Sequence, residues 1–116
     1  MPLIKLDTTE SLSDDAKKVL CTRLSRLCAE TTGKPETYVM VVVTDGVAML
    51  HAGKPGPAAF VDVRAIGGLN GTVNGALAEK VCKALLEIAK VPGDRVYLNF
   101  TSLEAANWGH DGSTFG

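Results

Sequence analysis

The chain opens MPLIKLDTT, and its second residue is the first with chemistry at hand. Proline has no backbone donor, so strands tolerate it chiefly at a first residue or an edge. With Met1 removed, Pro2 would carry a free secondary amine, fixed at a strand end by its own ring. Such an amine can take a proton from carbon, provided it is uncharged near neutrality. A free α-amine titrates near ~8, and burial or a neighbouring cation pulls that value down. Lys34, in TTGKPE just past a predicted helix end, is a candidate cation, although a lysine there also complements the helix dipole. In RVYLNF, Tyr97 and Asn99 are two apart and share one face of a strand, leaving Val96, Leu98 and Phe100 to the other. An asparagine in so apolar a strand needs a reason, and subunit packing or ligand contact would each supply one. Tyr38, Trp108 and Phe115 are half of the six aromatic residues and suit either a wall for an aromatic ring or a plain core.

Other chemistries are disfavoured. Gly-Lys-Pro occurs at 33–35 and again at 53–55, but neither copy has the Gly-x-x-x-x-Gly-Lys-Ser/Thr spacing of a phosphate loop. Cys21 and Cys28 lie seven residues apart on one helix pattern, a rise of about 10 Å, too far for a disulfide. With Cys82 they read as small buried hydrophobes. No cysteine or histidine spacing suits zinc, so neither a metal nor another cofactor is expected. A net charge of −1 shows no basic patch, which argues against nucleic acid and anionic membranes as partners. No apolar run reaches the ~20 residues of a spanning helix, and no signal-peptide pattern is legible, so the cytosol is the expected compartment.

The elements that must hold these residues come as two similar halves of a single domain over 1–116, with pseudo-repeats at about 2–57 and 58–116. Residues 3–7 alternate as a strand. Ala16, Val19, Leu20, Leu24, Leu27 and Cys28 then recur at helical spacing, with Ser13 as N-cap, Asp14 and Asp15 in the first turn, and Gly33 as the stop. KPETYVMVVVT gives a proline break and a strand at 38–44, and a turn-rich connector follows. The second half repeats the plan, with a strand at 58–66 and a helix whose Val73, Leu77, Val81, Leu85 and Ile88 share a face. A proline break and a last strand complete it. Pro35 and Pro92 are 57 residues apart, the offset that overlays one half on the other. Two β-α-β units predict an α/β (α+β) domain, a four-stranded mixed sheet with both helices on one face. Strand 38–43 is apolar on both faces, and two helices cover only one, so self-association is expected to bury the other.

The order MP at the start, GKP-x-x-Y at 33–38, AIGG at 65–68, DRVYLNF at 94–100 and DGSTFG at 111–116 resembles the macrophage migration inhibitory factor / D-dopachrome tautomerase family of the tautomerase superfamily. The resemblance covers the whole chain. It implies a homotrimer with active sites between subunits and an N-terminal proline, Pro2, as general base for keto–enol tautomerisation of phenylpyruvate-like arylpyruvates. By the same resemblance Lys34 and the backbone amide of Ile66 hold the substrate carboxylate. Tyr97 and Asn99 reach into a neighbouring subunit's site, where Tyr38, Trp108 and Phe115 would make an apolar wall for the substrate ring. The animal relatives are also cytokines exported without signal peptides, which implies an alternative reading as a secreted signalling protein with a protein receptor. The chain departs from the family at His51, Trp108 and His110, and the pair Trp108/His110 implies a rearranged pocket lip with altered substrate preference. Where animal relatives carry Cys-x-x-Cys, this chain has Ala58, Ala59, Phe60 and Val61, so no thiol-reductase chemistry is expected.

Overall fold

A computed structural model describes residues 1–116. Strand β1 (Leu3–Thr8) leads to helix α1 (Asp14–Thr32) and strand β2 (Met40–Thr44), and strand β3 (Ala59–Ala65) leads to helix α2 (Gly71–Ala84) and strand β4 (Val96–Ser102). The order across the sheet is β2-β1-β3-β4. β1 pairs with β2 in parallel and β3 with β4 in parallel, while the two central strands run antiparallel. The expected mixed sheet of two β-α-β units is therefore present.

Helix α1 begins where Ser13 Oγ accepts from the Ala16 amide at 3.1 Å, with Asp14 and Asp15 in the first turn favouring the positive end of the dipole. It ends at Gly33, whose φ of 72° is the left-handed conformation that glycine adopts without penalty. Helix α2 is capped by Asn70 and continues through a wider π-type turn at Leu85–Ala89. Alternate residues of the strands meet the helices. Ile4, Leu6, Val61 and Val63 are fully buried against Leu20, Leu24, Leu77, Val81 and Leu85. Each such side chain contributes about 1.5–3 kcal/mol by leaving water. Thr8, buried at the end of β1, is satisfied because its hydroxyl donates to the Ala58 carbonyl at 3.0 Å.

Three expectations are corrected. The strand predicted at 38–44 starts at Met40, because Pro35 caps a one-turn 3-10 helix at Glu36–Tyr38 and carries Tyr38 out of the sheet. Within the chain β2 keeps one face uncovered, the face for which self-association is expected. It is an edge strand with Met40 62% exposed. The second sheet face is mixed rather than apolar. Its central strands place Lys5, Asp7, Asp62 and Arg64 there, closed into Lys5–Asp7 and Arg64–Asp62 ion pairs, with Leu3, Val42, Phe60 and Tyr97 around them. Of the cysteines only Cys28 is buried, while Cys21 and Cys82 are half-buried.

The sequence reading missed a short C-terminal hairpin, β5 (Gly109–His110) with β6 (Ser113–Thr114). Asp111 and Gly112 turn it with positive φ values of 51° and 84°, and Asp-Gly is the dipeptide this turn favours. The connector between β2 and β3 is clamped by Arg95, whose guanidinium donates to the carbonyls of Pro57 at 2.6 Å and Lys54 at 2.9 Å. That clamp brings His51 edge-on to Tyr97, with ring centroids 4.9 Å apart.

Candidate active site

Pro2 immediately precedes the central strand β1. Its carbonyl accepts from the Met40 amide at 3.0 Å, which ties it into the ladder with β2, and its missing N–H costs the sheet nothing. The residue is fully buried, and it lines a cavity of about 570 Å³ at the end of the open sheet face. Tyr38, Trp108 and Phe115 line the same cavity, so three predicted aromatic residues meet the predicted base. Phe115 stands edge-on to Tyr38 at 6.5 Å and is stacked on His110 at 5.7 Å. The hairpin fixes this group, since the Phe115 amide donates to the Trp108 carbonyl at 3.1 Å.

Lys34 and Ile66 lie together beside the chain terminus rather than on the cavity wall. Gly33 turns the chain out of α1, and Lys34 Nζ donates to the Ile66 carbonyl at 3.0 Å. The Gly67-Gly68 pair permits this passage. Both have positive φ, and a Cβ on Gly68 would stand 2.9 Å from Lys34 Cε. AIGG is thus a channel for the lysine stem. The structure carries Met1 in place, and its amine is held below the usual 8.0, first by burial and then by the Lys34 charge, while Cys28 acts in the opposite sense.

Tyr97 and Asn99 do not join this cavity. Tyr97 lies four residues along β4 from Thr101, the residue level with Arg64, or roughly 13 Å at strand rise. It is 67% exposed on an edge strand, and Asn99 is exposed beside it. The cavity also holds residues that sequence reasoning missed, namely Arg64, Asn107 and Thr37. A signal for Arg64 existed. The alternation Phe60, Asp62, Arg64 puts it on the face away from the helices, two residues before Ile66.

The two β-α-β units, the antiparallel central strands and a first-strand proline in an aromatic cavity place the chain among proteins of the tautomerase superfamily, whose fold is that of tautomerase-like enzymes. The chain belongs to the macrophage migration inhibitory factor family, whose family model matches residues 1–116. It is 35% identical over 116 residues to the macrophage migration inhibitory factor homolog of Brugia malayi, covering 100% of both chains. The crystal structure of the homologue from Prochlorococcus marinus superposes with a TM-score of 0.93 at 38% identity, covering 98% of this chain and 99% of that one. A structure of Pt0534 inactivated by 2-oxo-3-pentynoate matches with a TM-score of 0.85 at 27% identity, covering 96% of this chain and 93% of that one.

Burial behind the terminus also acts on Cys28, whose thiol is pushed up from 9.0 to about 11. The unfolded chain therefore loses this proton first as pH rises. The contribution is fully present below pH 9 and should be lost as pH climbs from 9 through about 11. Urea unfolding midpoints of wild type and Cys28→Ala should converge over that window, and a constant separation would contradict the assignment.

Proposed function

We propose that the protein enolises phenylpyruvate-like arylpyruvates, with Pro2 as general base after removal of Met1. The observation that carries this reading is the placement of Pro2 in one cavity with Tyr38, Trp108 and Phe115, while the Lys34 charge is felt at the chain terminus. Without Met1 the free amine is the Pro2 nitrogen itself. The Lys34 charge that lowers the Met1 amine would act on a Pro2 amine in the same sense and favour the neutral base. That nitrogen takes a proton from the methylene carbon next to the substrate ketone. The electron pair left behind forms the new carbon–carbon double bond, and the carbonyl oxygen gains a proton. A positioned base of this kind contributes ~10²–10⁴-fold. Lys34 and the Ile66 amide hold the substrate carboxylate, and the aromatic residues hold its ring.

Tyr97 and Asn99 enter the reading through assembly. Exposed on an edge strand and far from their own cavity, they serve a neighbouring subunit in a homotrimer, which also covers the mixed sheet face. The inactivation of Pt0534 by a 2-oxo acid supports a 2-oxo acid substrate. The naming of curated relatives as macrophage migration inhibitory factors favours a second reading, in which the protein signals through a receptor with or without tautomerase activity.

Sedimentation at micromolar concentration should show a trimer, whereas a stable monomer would leave Tyr97 and Asn99 without a site. The pH profile of kcat/KM for phenylpyruvate should rise through the Pro2 pKa and level off, because only the neutral amine accepts a proton. Its inflection should lie below the ~8 of a free α-amine. In Lys34→Ala the inflection should move upward, since a cation that disfavours the charged amine is gone, and KM should rise. An unmoved inflection would remove Lys34 from the site.

A further inference from the structure

Arg64 is the only lining side chain of the Pro2 cavity with a permanent charge, and no carboxylate lines it. The residue stands opposite Leu3 on β1, one position from Pro2, in a cross-sheet row with Met40 that forms the cavity wall. Its Nε and Nη2 both donate to one oxygen of Asp62, at 3.2 and 2.9 Å. Asp62 is not part of the wall, and its pairing leaves the Nη1 edge without a protein acceptor. A guanidinium with one edge anchored and another open is prepared to receive a carboxylate. Asn107, Thr37 and His110 add neutral polar groups to the same cavity.

We infer that Arg64 is a specificity-determining residue, selecting aromatic 2-oxo acids that carry a second carboxylate on the ring. This rests on the tautomerase reading of the same cavity. The first carboxylate goes to Lys34, the ring lies among Tyr38, Trp108 and Phe115, and the second carboxylate meets Nη1 of Arg64. The anchoring bonds to Asp62 fix the fork before substrate arrives, which reduces the ordering cost of binding. Asp62 also lowers the local positive charge, so the site accepts an anion without attracting every one.

Enolisation of 4-carboxyphenylpyruvate and of phenylpyruvate should be compared on protein lacking Met1. Wild type should favour the dicarboxylate in kcat/KM. Arg64→Ala should lower the ratio of the two kcat/KM values at least tenfold, chiefly through KM, and Arg64→Lys should keep part of it, with charge retained and fork lost. Asp62→Asn, which loosens the anchored guanidinium, should lower the ratio by less than Arg64→Ala does, and serves if the alanine variant does not fold. Quenching of Trp108, the only tryptophan, should report the same preference for 3-(4-carboxyphenyl)propanoate over 3-phenylpropanoate with no chemistry involved. Equal wild-type rates, or a ratio unmoved in Arg64→Ala, would overturn the inference while the tautomerase reading stood. Arg64-dependent binding of the dianion without enolisation of either acid would sink the tautomerase reading and leave the anion selectivity in place.

Discussion

The chain's own beginning is built into the middle of its sheet. β1 is a central strand, held by β2 on one side and β3 on the other, and the Pro2 carbonyl is already part of the ladder. A terminus is ordinarily the least ordered part of a domain. Here it has the position of a core residue, and the rest of the molecule is arranged around that constraint. Proline suits the place because it withholds a donor where no acceptor is needed and fixes its own φ.

Two elements far apart in sequence then set the electrostatics of that terminus. Gly33 ends α1 in a left-handed turn and releases Lys34, while Gly68 leaves the space through which the lysine stem passes to the Ile66 carbonyl. Because a Cβ at Gly68 would meet that stem, the glycine pair after β3 and the lysine after α1 act as one device. Their outcome is a charge brought near a partly buried chain terminus without an acidic partner to neutralise it. Pairing with a carboxylate is the usual fate of a lysine at an enclosed site. Here a backbone carbonyl takes that role, and no carboxylate is paired with the ammonium.

Much of this frame was legible in the sequence. The caps of α1, the alternation of β1 and β3, and the 57-residue offset between Pro35 and Pro92 are local signals, and each appears in the structure. The candidate site was legible in part, Ile66 through the resemblance alone and Pro2, Lys34, Tyr38, Trp108 and Phe115 from residue type and position as well. What escaped depends on register. Arg64 reads as one polar residue in an alternating strand until the antiparallel pairing sets it opposite Leu3. The open sheet face read as apolar because β2 alone was considered, and the charges come from β1 and β3. The C-terminal hairpin carried an Asp-Gly signal in only two-residue strands, too short for periodicity to reveal.

The account turns on a proline amine that exists only once Met1 is gone. While Met1 remains, the Pro2 nitrogen is an amide whose lone pair is delocalised into the carbonyl, and it cannot act as a base. The direct measurement is phenylpyruvate enolisation by two preparations of the same chain, one retaining Met1 and one lacking it, each verified by intact-mass spectrometry. Their folds should agree by circular dichroism. The account predicts turnover in the processed protein and nearly none in the unprocessed one. Full activity in protein that retains Met1 would contradict it, and Pro2 would then be no more than the first residue of a strand.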